Sequence, residues 1–91
     1  MAVRFEWDPR KADENLRKHR VSFDEAETAL HDPLAATFSD LDHSIAEHRF
    51  LTVGYSSTGR LLIVSHTEIN DIIRIIHARV ATAHERKRHE I

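Results

Sequence analysis

The chain has 91 residues, a formal net charge of −2 and no cysteine. That length fits one domain able to bury a modest core, and 41% apolar content with four Gly and Pro residues fits a folded protein rather than a disordered one. Disulfides and thiolate metal sites are excluded, and the charge is not that of a bulk polycation built to coat nucleic acid.

The charge is uneven. Residues 1–45 carry six Lys/Arg against ten Asp/Glu, and residues 46–91 carry seven against five. Any anionic partner must therefore meet a local patch. No apolar run approaches the roughly 20 residues needed to span a membrane. The opening MAVRFEWDPRK lacks the apolar stretch of a signal peptide, so a cytoplasmic location is expected.

VRFEW alternates Val3, Phe5 and Trp7 with Arg4 and Glu6, the period of a strand with one buried face. A helix follows. Asp8 suits its N-cap, Pro9 its first turn, and it should run to about His19 with Ala12, Leu16 and His19 inward. A second helix starts at an S-x-x-E capping box, Ser22 and Glu25, with Val21 and Ala26 at the staple positions and Phe23, Ala26 and Leu30 as its buried stripe. Pro33 ends it. LAATF reads as a short strand and SDLDHSIAEH as a loop. RFLTVGYS is a strand with Leu51, Val53 and Tyr55 on one face. STG turns the chain into the strand RLLIVSHT, and EIND turns it again into IIRIIHAR, whose apolar character on both faces suggests a central place. Thr82 and Glu85 form a second capping box for a C-terminal helix, where Arg86, Lys87 and Arg88 suit the dipole. The order β-α-α-β-β-β-β-α implies an α+β domain over residues 1–91, an antiparallel sheet with two N-terminal helices packed on one face and a short C-terminal helix.

Little here supports nucleophilic or metal chemistry. No Cys and no G-x-S-x-G is present, and the eight histidines form no H-x-x-x-H pair. Most are expected to be solvated, although His66 and His77 could meet across paired strands. The arginines of the last strand are more informative. Strict alternation puts Arg79 on a face with Ile73, Ile75 and His77, and Arg74 on the other. A guanidinium fixed on a strand suits phosphate recognition. Glu47, His66, His77 and Glu85 could move protons or orient those arginines. On pattern alone such strand arginines are more often structural: Arg74 could pair with Glu47, Glu68 or Asp71, and Arg79 with Glu85 or with capping carbonyls.

Several blocks carry a resemblance. F-x-W-D and N-L-x-K-H, then V-S-F-x-E-A, E-x-R-x-x-x-x-G, G-R-L-L and I-R-I-I-x-A-R-x-A-T-x-x-E-R occur in order over residues 5–90. Together they resemble the BrnT toxins of type II toxin–antitoxin systems. The resemblance implies a RelE-like fold, a ribonuclease that inhibits translation, no cofactor or metal, and a BrnA-type antitoxin that binds the toxin. DNA would be met only through that antitoxin. On this basis Arg74 and Arg79 are expected to stabilise phosphate, and Glu85, His66 and Glu47 to assist proton transfer. Arg49, His77 and Arg86 are expected to contact RNA. Three positions depart from the family pattern: Ile69 where Arg is common, His77 where Ser is usual and His89 where Tyr is usual. A binding module that docks an antitoxin without cleaving RNA is the alternative reading.

Overall fold

The computed structural model describes residues 3–43 and 47–90. Residues 44–46, part of the loop expected over SDLDHSIAEH, lie outside the described residues. The elements are β1 (Arg4–Trp7), α1 (Pro9–His19), α2 (Phe23–Leu30), β2 (Ala36–Ser39), β3 (Phe50–Tyr55), β4 (Leu61–Ile69), β5 (Ile72–Val80) and α3 (Ala83–His89). They follow the expected order.

The helix starts obey their local chemistry. The Asp8 carboxylate accepts from the Arg10 N–H at 2.9 Å, ahead of Pro9 in the first turn of α1. Thr82 and Glu85 close a complete capping box on α3. On α2 only half of the expected box forms. Ser22 accepts the Glu25 N–H, but the Glu25 carboxylate turns away to Arg60, Ser56 and Thr58. A guanidinium offers that carboxylate a stronger partner than a cap amide does.

The sheet order is β1-β5-β4-β3-β2. Strands β2 to β5 form an antiparallel meander, whereas β1 pairs in parallel with Ile72–Ile75 of β5. The sheet is therefore mixed, not antiparallel throughout: alternation shows which face a strand buries, not the direction of its neighbour. β4 is the middle strand and is buried from Leu61 to Thr67, while β5 is interior but next to the edge. Asn70 and Asp71 take φ of 50° and 65° between β4 and β5, the two positive values that a tight hairpin turn requires.

Helix α2 covers β3, β4 and β5. Helix α1 packs chiefly on β5. β1 spans only the first half of β5, and α1 continues along the free backbone of the second half. The Asn15 amide donates to the Ala78 carbonyl at 2.7 Å and accepts the Ala78 N–H at 3.0 Å, replacing a strand partner. Asn15 is consequently buried at 5% exposure and Leu16, expected inward, is 48% exposed. The main core joins Val21, Phe23, Ala26 and Ala29 to Leu62, Val64, Ile75 and Ala78. On the opposite face Leu61, Ile63 and Ala81 pack with Leu51, Val53 and Tyr55, so that face carries a second, smaller apolar cluster.

Candidate functional site

One irregularity in β5 shapes the face away from α2. Ser65 pairs with His77 while His66 pairs with Ile75, so Ile76 has no partner on β4. This β-bulge resets the alternation. Ile75 and Ala78 both enter the main core although they are three residues apart. His77 and Arg79 then lie across from Ser65 and Ile63, on the face that carries the smaller cluster. Strict alternation, which set Arg79 with Ile75, fails at this point for that reason.

Arg79 is fixed there. Its two terminal nitrogens donate to the two oxygens of Glu85 at 2.7 and 2.9 Å, and Glu85 also accepts the Thr82 N–H at 2.9 Å. The Arg79 guanidinium, with help from the cap, holds the Glu85 carboxyl down at about 2, and Glu85 in turn raises Arg79. The fork uses two of five N–H donors on Glu85, which leaves three for another anion.

Beside Arg79 a cleft of about 670 Å³ opens between α1 and the segment before β3. Lys11, Glu14, Lys18 and His19 line it from α1, Asp40, Asp42 and His43 from the far wall, Arg49 from just before β3, and Ser65, His77 and Arg79 from the sheet. His77 contacts His19 across it, Nε2 to Nε2 at 3.0 Å. Burial lowers the His77 pKa from the ordinary histidine value, and the neighbouring His19, Arg79 and Lys18 add to that. A second, more apolar cavity of about 400 Å³ lies on the other side of Arg79, among Phe38, Leu51, Val53, Ile63, Arg88 and His89.

A family model described as the ribonuclease toxin, BrnT, of type II toxin–antitoxin systems matches residues 7–85. The chain belongs to the BrnT toxin family. The crystal structure of the Brucella abortus ribonuclease toxin BrnT is similar, with a TM-score of 0.69, 20% identity, and coverage of 89% of this chain and 99% of that one. At that identity the likeness bears on the fold. No curated protein matches the chain. The family assignment makes this a ribonuclease toxin of the type II class, and the α+β fold with three helices and a five-stranded mixed sheet agrees with the Brucella toxin.

The residues singled out in the sequence do not all meet. Arg79, Arg49 and His77 line the cleft, and Glu85 sits behind Arg79. Arg74 lies near the start of β5, paired to Glu6 of β1 at 2.9 Å, and lines neither cavity. Glu6, not Glu47, Glu68 or Asp71, is its partner because β1 runs parallel beside it. His66 is 1% exposed and faces α2, with Nε2 at 2.6 Å from the Thr52 hydroxyl, and burial lowers its pKa. It does not meet His77, because the bulge sets them on opposite faces. Glu47 is exposed, 3.7 Å from Arg49 and outside the cleft lining, and Arg86 pairs with Glu90 at 3.8 Å on α3. Lys18 and His19 were not proposed from the sequence as site residues. Their signal was the N-L-x-K-H block, whose last two residues reach the cleft while its Asn15 anchors α1. Among the described residues no group of three or more His, Asp or Glu is placed to hold a metal ion, and no helix is long and apolar enough to cross a membrane.

Proposed function

We propose that this toxin cleaves RNA in the cleft between α1 and the sheet, with Arg79 as the main phosphate-stabilising group. The observation that carries the reading is Arg79 itself, held by both oxygens of Glu85 at the margin of a cleft that Lys18 and Arg49 also line. A guanidinium held in place before the substrate arrives costs no reorganisation when charge builds on a phosphate. RNA supplies its own nucleophile, the 2′-hydroxyl. Its attack on the adjacent phosphorus forms a 2′,3′-cyclic phosphate and releases a 5′-hydroxyl end, with no metal in the step. Arg49 contacts the substrate backbone from the residue just before β3. Arg74, His66, Glu47 and Arg86 act away from the reacting phosphate: Arg74 fixes β1 to β5, and His66 orders the core side of β3 and β4.

The fold is RelE-like, the protein acts in the cytoplasm to stop translation, and a BrnA-type antitoxin neutralises it in a hetero-oligomer. Incubating purified protein with labelled RNA in a chelator tests the central claim. The wild type is expected to leave cyclic-phosphate ends, and Arg79→Ala to cut at least about 100-fold more slowly. Equal cleavage by both proteins would remove Arg79 from the mechanism.

A second reading is supported by the apolar cavity beside Arg79. Phe38 is 57% exposed there, next to Leu51, Val53 and Ile63. That surface suits an antitoxin segment that pairs an apolar side chain with a carboxylate for Arg88. A wild-type protein that binds its antitoxin but leaves RNA intact would select this reading.

A further inference from the structure

The phosphate-binding reading leaves one contact in the cleft unused. His19 closes α1 and His77 follows the bulge in β5. Their Nε2 atoms face each other at 3.0 Å, with ring centroids 4.7 Å apart and ring planes at 80°. A hydrogen bond between two imidazole nitrogens needs one donor and one acceptor, so one ring carries a proton on Nε2 and the other a lone pair. Both residues are anchored through the backbone, which leaves the rings able to turn apart about their side-chain torsions. His77 sits on a paired strand opposite Ser65, and α1 is pinned near its end by the Asn15–Ala78 bonds.

We infer that His19 and His77 are the proton-transfer pair of RNA cleavage, with His77 as the base and His19 as the acid. This rests on the function proposed above. The groups facing His77 assign the roles. Lys11, Glu14 and Lys18 approach from α1, Asp40, Asp42 and His43 from the far wall, Arg49 from just before β3 and Arg79 from its own strand. Asp40 is bonded to His43, with Oδ2 at 3.0 Å from Nδ1. Burial and the cations nearest His77 keep its ring neutral near pH 7, which leaves a lone pair free to accept a proton. The ring facing it across the gap is then the donor.

The step balances within the pair. A phosphodiester entering the cleft replaces the direct ring-to-ring bond. His77 takes the proton of the 2′-hydroxyl, and the oxygen forms a bond to the adjacent phosphorus. The bond from phosphorus to the 5′-oxygen breaks, and His19 gives its proton to that leaving oxygen. The cycle ends with His77 protonated and His19 neutral. When the product leaves, the Nε2 atoms meet again and the proton crosses the short gap, which restores the starting state. A serine at position 77 could not do this, because a hydroxyl offers no comparable base.

The pH dependence of kcat/KM for RNA cleavage tests the inference. The wild type is expected to give a bell, because one ring must be neutral and the other protonated. His77→Gln is expected to lose the acid limb and His19→Gln the alkaline limb, each with a fall of about 10²–10⁴-fold at the optimum. His77→Ser, a smaller side chain that the strand can carry, gives the same reading if the glutamine variant fails to fold. Thermal melting confirms the fold of each. Variants that keep the wild-type profile and rate would overturn the pair while leaving an Arg79-dependent nuclease in place. A wild type that cleaves no RNA at any pH would overturn the proposed function, and the pair with it.

Discussion

Asn15 on α1 and Ala78 on β5 exchange two hydrogen bonds, at 2.7 and 3.0 Å, so one side chain replaces a missing β-strand. The same amide nitrogen also donates to the Val21 carbonyl at 3.0 Å, which ties the α1–α2 connection into the knot. All three bonds are buried. Removing the side chain leaves the Ala78 N–H and two carbonyls unpaired, and each unpaired buried group costs about 1–3 kcal/mol. Asn15→Ala is expected to destabilise the fold by roughly 3 kcal/mol, read as a lower midpoint in urea. Because α1 then loses its anchor beside His19, cleavage should fall even at temperatures where the variant stays folded. A variant with wild-type stability would show that the bonds to Ala78 do not hold α1 in place.

Glu85 holds the Arg79 guanidinium with both oxygens while accepting the Thr82 N–H. The pair is about one-third exposed, so it contributes about 1 kcal/mol or less to stability. Its larger consequence is positional. In Glu85→Ala, Arg79 keeps its charge but loses its orientation, and a misplacement of about 1 Å can cost on the order of 100-fold in rate. Cleavage is expected to drop roughly 10–100-fold with a small change in melting temperature. Arg79→Lys should fall at least as far, because an ammonium cannot bind Glu85 and phosphate in the same fork. Steady-state kinetics on one RNA substrate compares the three proteins. Undiminished cleavage by Glu85→Ala would mean that Arg79 needs no support.

Much of this architecture was legible in the residues. Asp8–Pro9, Ser22 and Thr82–Glu85 mark the helix starts, and the turns at Gly59 and Asn70–Asp71 separate strands whose alternation is plain. Three features besides the parallel pairing of β1 were not, and each depends on a contact distant in sequence. Alternation through IIRIIHAR hides the bulge at Ile76, because an extra residue shows only against the partner strand. Asn15 looks like a surface polar residue until the free backbone of β5, 63 positions away, lies beside it. Glu25 has the spacing of a capping box, but Arg60, 35 positions away, competes for its carboxylate. The site inherits these limits. Arg79 and Glu85 are six residues apart and could be paired from sequence, whereas His19 and His77 meet only in the fold.

Gly54 ends the E-x-R-x-x-x-x-G block, and its place on β3 explains why no side chain is present. A Cβ there would lie 2.5 Å from the Ala29 carbonyl oxygen and 3.1 Å from the Ala35 Cβ. The obstacle is the backbone of α2, which cannot rotate aside as a side chain can. Gly54→Ala must push α2 off the sheet, and overpacking of this kind costs about 1–3 kcal/mol. The expected result is a lower denaturant midpoint with the far-ultraviolet helix signal retained. An unchanged midpoint would show that α2 can shift freely on β3.

Glu25 joins three segments of chain. It accepts from the Ser56 and Thr58 hydroxyls at 2.7 Å each and from the Arg60 Nε at 2.9 Å, and Arg60 also donates to the Arg20 carbonyl at 2.9 Å. Arg60 and the two hydroxyls hold the Glu25 carboxyl at about 2, against 4.5 for a free glutamate. The folded state therefore binds this proton less tightly than the unfolded chain does. The stabilisation is fully present above about pH 4.5 and is lost as pH falls towards 2. With the carboxylate 13% exposed and Arg60 36% exposed, solvent screening leaves about 1–2 kcal/mol. Glu25→Gln should melt below the wild type at pH 7, and the gap should narrow as pH drops from about 5 to 2.5. Since Glu25 lines neither cavity, RNA cleavage at pH 7 should be unaffected well below the melting temperature. A gap in melting temperature that stayed constant across this range would mean that the Glu25 charge adds nothing to the hydrogen bonds of its neutral analogue.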